Sequence, residues 1–65
     1  MINIYAAREP GELMLRTGKS AANLEKALER ARRLRAHKVE VRDDSQHYTQ
    51  RLVACFVEGV QIAAP

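Results

Sequence analysis

The residues with the most obvious chemical potential are Thr17-Gly18-Lys19-Ser20. A glycine, a lysine and a hydroxyl ahead of a helical pattern match the end of a phosphate-binding loop, G-x-x-x-x-G-K-[ST]. The first glycine of that pattern belongs at position 13, which is Leu13, and Gly11 comes two residues too early. The chain is also too short for the parallel sheet and metal-binding acid of a nucleotide hydrolase. What remains is a weak anion site, with Gly18, Lys19 and Ser20 presenting backbone amides and one ammonium at a helix start. His37, His47 and Cys55 have no metal-ligand spacing, and Asp43-Asp44 lacks the rest of a calcium loop. Cys55 lies in an apolar run and reads as a core residue, with no base beside it. These types and spacings give no catalytic residue, no metal site and no cofactor, so a non-enzymatic binding protein is expected.

A second constellation is electrostatic. The net charge of +3 is unevenly distributed. Residues 1–18 balance Arg8 and Arg16 against Glu9 and Glu12. Residues 19–42 carry eight Lys and Arg against Glu25, Glu29 and Glu40, for +5. Residues 43–65 set Arg51 against Asp43, Asp44 and Glu58, for −2. At 3.6 residues per turn Lys26, Arg30, Arg33 and His37 form one stripe, flanked by Arg32 and Lys38. Such a stripe is a footprint for an anionic partner, either an acidic protein surface or nucleic acid. Its plain alternative is a solvated helix face with cations near the end where the macrodipole favours them. Lys26 and Arg30 repel at i, i+4, whereas Glu29 and Arg33 attract by about 0.2–0.5 kcal/mol. A face shaped for helix stability alone would avoid the first pair.

The element carrying this stripe organises the chain. Leu24, Ala27, Leu28, Ala31 and Leu34 recur at spacings of three and four, which predicts an amphipathic helix over about 20–36. Ser20 is the expected N-cap. Before it, Ile2, Ile4 and Ala6 alternate with Asn3, Tyr5 and Ala7 as a strand over about 2–8. Glu9-Pro10-Gly11-Glu12 reads as a type II turn, Pro fixing the first central φ and Gly supplying the positive second one. Leu13 and Leu15 then mark a strand over about 12–17, antiparallel to the first.

Beyond the helix, Lys38 to Arg42 alternates as a strand over about 38–43, with Asp43-Asp44-Ser45-Gln46 as a polar turn. The segment 47–57 fits two forms. As a helix it joins Tyr48, Leu52, Cys55 and Phe56 on one face. As a strand over about 48–57 it has strand formers on both faces in Leu52-Val53-Ala54-Cys55-Phe56-Val57, and the strand is the favoured form. Glu58-Gly59 resembles a two-residue hairpin loop leading to a last strand over about 60–63. The fold expected is a single small α+β two-layer domain over 1–65, ββαββ(β), with the helix on an antiparallel sheet. Leu24, Leu28, Leu34, Ile4, Leu15, Val41 and Phe56 are expected in its core.

A chain of 65 residues buries only roughly 60% of its unfolded surface, which makes a partner or a homodimer attractive as extra burial. A single cysteine and no apolar run of membrane-spanning length fit a cytoplasmic protein without a signal peptide or membrane segment. Recognition signatures for single-stranded RNA are missing, and three aromatics make a poor stacking platform.

In outline the chain resembles the small phage-encoded anti-CRISPR inhibitors. The resemblance rests on size, the MINIYAA/ELMLRT hairpin, the charged helix LEKALERARRLRAHK and the LVACFVEGVQI hairpin. It implies a non-catalytic inhibitor covering a functional surface of a CRISPR effector, and it transfers no residue role. Two functions are therefore expected from the sequence: a protein-binding inhibitor or adaptor acting through the charged helix face, or a small basic nucleic-acid-binding regulator, dimeric, using the same stripe.

Overall fold

The computed structural model describes residues 1–46 and 49–63, except for the side chains of 45, 46, 49, 50 and 63. Five strands and one helix follow one another as β1 (Ile2–Ala7), β2 (Leu15–Arg16), α1 (Leu24–Arg33), β3 (Lys38–Gln46), β4 (Thr49–Val57) and β5 (Val60–Ala63). The strands form one antiparallel sheet in the order β2-β1-β3-β4-β5. The helix is the connection that carries the chain over β1, so that β3 can join β1 on the edge opposite β2.

The turn at 9–12 closes through the Glu12 N–H to the Glu9 carbonyl at 3.2 Å, and Gly11 takes the positive φ of 85° that the sequence demanded. β2 is shorter than the six residues expected, because only Leu15 and Arg16 pair regularly, with Ala6 and Tyr5. From there the chain follows the β1 edge irregularly. The Thr17 N–H donates to the Ile4 carbonyl and the Ala21 N–H to the Ile2 carbonyl, both at 2.8 Å. Residues 17–21 are therefore committed to the sheet edge.

That commitment delays the helix. It starts at Leu24, and Asn23, not Ser20, is its N-cap: extended, with its side-chain oxygen accepting from the Lys26 N–H at 2.9 Å. The helix ends at Arg33, where Leu34 turns extended. Glu25 in the first turn and Arg30, Arg32 and Arg33 in the last complement the macrodipole.

Helix and sheet meet through small residues. Ala27 and Ala31 are fully buried against Ile4, Val39, Val41, Ala54 and Phe56, while Leu28 and Leu34 pack at the margin. Alanines on the contact line let the helix approach closely, which pushes the leucines to the rim. Leu24 is consequently 41% exposed and Leu15, on a two-residue edge strand, 67% exposed, against the expectation that both lie in the core.

β3 runs through the segment expected to turn. Asp43 pairs with Ile2 and Arg51, and the Asp44 N–H donates to the Met1 carbonyl at 2.9 Å. Pairing on both sides overrides the weak strand preference of aspartate, and the Met1 ammonium lies 3.0 Å from the Asp44 carboxylate. The segment 49–57 is a strand, with a bulge between Val41 and Arg42 in its pairing to β3. His47, Tyr48 (the first residue of the strand expected over 48–57) and residues 64–65 lie outside the described residues. Glu58 and Gly59 take φ of 51° and 81°, the two positive values of a type I′ hairpin turn.

The opposite sheet face is covered by no described element. Tyr5, Glu40 and Cys55 form one cross-strand row there. Glu40 accepts from Arg42 Nε at 2.9 Å and lies 3.4 Å from Lys38 Nζ, both on its own strand. The Arg42 guanidinium stands 4.7 Å above the Tyr5 ring. Burial alone would push the Glu40 carboxyl up, but hydrogen bonds and charge from Arg42 and Lys38 outweigh it and hold the group below its ordinary range.

Candidate binding surface

The structure keeps Lys26, Arg30, Arg32 and Arg33 of the expected cationic stripe on α1 and places His37 and Lys38 beyond it. Lys26 is exposed on the first turn of α1. Arg30 is half-buried and donates through Nη1 to the Lys19 carbonyl, bracing the helix against the sheet edge. Arg33 is bound to Glu29 at 2.7 Å on the helix surface. His37 lies four residues past the helix end and so does not extend the stripe. Its Nδ1 donates to Glu58 at 2.8 Å across the mouth of the sheet. Lys38 belongs to β3 and pairs with Glu40 on the far face, away from the others. Helical periodicity carried through to 37 cannot anticipate that Leu34 breaks off to reach β3.

The weak anion site at Gly18, Lys19 and Ser20 is not at a helix start. The helix begins at Leu24. The Ser20 hydroxyl donates to Asn3 Oδ1 at 2.6 Å, and the Lys19 carbonyl accepts from Arg30. Ser20 thus ties this segment to β1 and Lys19 ties it to α1.

A different group of basic residues comes together. Arg8, Arg32, Arg35 and His37 line an open cleft of about 430 Å³ with Leu34, Ala36, Glu58 and Gly59, where the last turn of α1 meets the β1 end and the β4–β5 turn. The His37 N–H to Arg8 carbonyl bond, 3.2 Å, and the Glu58 N–H to His37 carbonyl bond, 2.9 Å, fix the three segments to one another. Glu58 is engaged by His37. Among the described residues, Arg8, Arg32 and Arg35 have no carboxylate partner for their side chains. Arg8 and Arg35 escape a sequence reading because one follows a strand and the other lies off the stripe. Only the β1–β3 register brings them together.

Arg8 also borders a second open trough of about 650 Å³, lined with Ala6, Glu12, Leu13, Leu15, Arg16 and Thr17. Leu13 is 85% exposed there. Glu12 is held by the Arg8 backbone N–H at 3.1 Å.

Chemically these surfaces can bind and orient anionic groups. Among the described residues no three His, Cys, Asp or Glu side chains gather as a metal site, and no helix is long and apolar enough to cross a membrane. Of the described aromatics, Phe56 is buried and Tyr5 lies beneath Arg42, so neither offers a free stacking face. Comparison with known proteins finds no matching family model, no matching curated protein and no matching solved structure.

Proposed function

We propose that this chain is a non-enzymatic binding protein, an inhibitor or adaptor, that covers an acidic surface of a protein target with its basic end. One observation carries the reading. Arg8, Arg32 and Arg35 converge on one cleft without a carboxylate partner among the described residues, while Lys38, Arg42 and Arg33 elsewhere each have one. Guanidinium groups suit this role because their planar fork grips carboxylates in two places and is weakly hydrated. Lys26, Arg30 and Arg33 lie on the adjoining helix and extend the positive field.

A protein target is favoured over nucleic acid by the apolar neighbourhood. Leu13 and Leu15 are exposed beside Arg8, and a phosphate backbone has no use for such side chains. The inhibitor role also agrees with what the anti-CRISPR resemblance implies, a surface covered without chemistry.

The test is capture from a lysate of the source cells, with and without nuclease treatment, with the tagged wild-type chain beside Arg32→Glu/Arg35→Glu. A stoichiometric protein partner, lost in the variant, is the expected result. Recovery of nucleic acid alone, abolished by nuclease, would replace the reading with a nucleic-acid-binding regulator.

A further inference from the structure

Resting on the reading of a protein target, we infer that the two troughs joined at Arg8 are one composite site, and that its occupant is an acidic peptide segment carrying apolar side chains. The cleft of Arg32, Arg35 and His37 and the trough of Leu13 and Leu15 share Arg8 as a common wall. Both are open, so they suit a chain laid across them better than a small molecule enclosed within them.

The lining dictates the chemistry of the occupant. Its two carboxylates are already engaged, Glu58 by His37 and Glu12 by the Arg8 backbone amide. Arg8, Arg32 and Arg35 line the cleft against one carboxylate, Glu58, and Arg8 and Arg16 line the trough against Glu12, so the lining keeps a positive balance, which selects negative charge. In the neighbouring trough Leu15 pairs with Ala6, whose side chain packs against the helix-side core. Leu15 therefore stands on the helix side of the sheet, with Leu13 close by in the same trough. Burying these leucines gives a return only if the incoming chain carries apolar groups of its own. A plain polyanion would meet the arginines and leave the leucines wet. A second copy of this chain docked symmetrically through the same face would bring the same arginines to the site, and the resulting repulsion disfavours it.

The composite site is distinguished from simple polyanion binding by anisotropy titrations of the full chain. The labelled probes are a synthetic peptide of alternating glutamate and leucine, a polyglutamate of equal charge, and a single-stranded oligonucleotide of equal charge. The glutamate-leucine peptide is expected to bind about tenfold more tightly than polyglutamate. Leu13→Ser/Leu15→Ser should erase that advantage and leave polyglutamate binding unchanged. Arg32→Glu/Arg35→Glu should weaken both peptides, and Arg32→Gln/Arg35→Gln should do so to a lesser degree. All substituted side chains are largely exposed, and circular dichroism verifies that each variant keeps the fold.

Equal affinity for the two peptides, or indifference to the leucine pair, would overturn the composite site. If Arg32→Glu/Arg35→Glu still lost its captured protein partner, the protein-target reading would stand without it. Binding of the oligonucleotide with neither peptide bound would overturn both, and binding of no probe would overturn the composite site.

Discussion

The far face of β3 and the basic end of the molecule use the same residue types in opposite ways. On β3, Lys38 and Arg42 flank Glu40, and Arg42 also covers Tyr5. Positive charge there is matched within the fold, and the sheet face is closed by its own side chains. At the other site Arg8, Arg32 and Arg35 meet with their charges unmatched by any carboxylate among the described residues. The difference sets cations matched within the fold apart from cations left unmatched around one cleft, and on the proposed reading the latter meet the partner. A count of charges in the sequence does not make this separation.

The largest expected effect falls on binding. Arg32→Glu/Arg35→Glu should lower partner affinity by about a hundredfold, as loss of charge pairs at an interface does. Its urea-unfolding free energy should fall by no more than about 1–2 kcal/mol, the helix-dipole contribution of Arg32 being reversed at an exposed position. A large stability loss instead would show that these arginines are structural, and the contrast with β3 would collapse.

The converse substitution is Glu40→Ala, which leaves Lys38 and Arg42 facing each other without their carboxylate. It should cost about 1–3 kcal/mol in urea unfolding and leave partner capture unchanged. Lost capture in a folded Glu40→Ala chain would move the site to the open sheet face.

Acid sharpens the same point. The folded-state pKa of Glu40 is depressed, so its contribution to stability is complete above the ordinary carboxylate range and is lost as pH falls through the folded value. Wild-type stability should decline on acidification, and Glu40→Gln should start lower and decline less steeply. Parallel pH curves would contradict the pairing.

The smallest effect concerns the β4–β5 turn. Glu58 occupies a left-handed position that asparagine tolerates better. Glu58→Asn should therefore hold or raise the melting temperature, because the exposed pair with His37 that it removes is worth only about 0–1 kcal/mol. A clear drop would show that the pair clamps the cleft.

Much of the layout is legible in the sequence, because strong local signals agree with it. Alternation marks β1 and the start of β3, Pro10-Gly11 fixes the first turn, and Glu58-Gly59 the last. What is not legible is tertiary. Ser20 and Asn23 are equally able to cap a helix, and only the hydrogen bonds of residues 17–21 to β1 decide for Asn23. Leucines spaced for burial sit at the rim because Ala27 and Ala31 bring the helix close. Lys26, Arg30 and Arg33 fall on one helical stripe, yet the arginines Arg8, Arg32 and Arg35 gather with His37 at a cleft that the β1–β3 register assembles from three segments. Periodicity within one helix cannot reveal a site built from its end and two neighbouring loops.

The most direct measurement is a side-by-side capture from nuclease-treated lysate with wild type, Arg32→Glu/Arg35→Glu and Lys26→Glu/Arg33→Glu, each shown to be folded. The expected result is a protein partner retained by wild type, weakened but still captured by the Lys26/Arg33 variant, which only reduces the surrounding field, and lost by the Arg32/Arg35 variant. Equal capture by wild type and the Arg32/Arg35 variant would contradict the claim that the unmatched arginines are the binding surface.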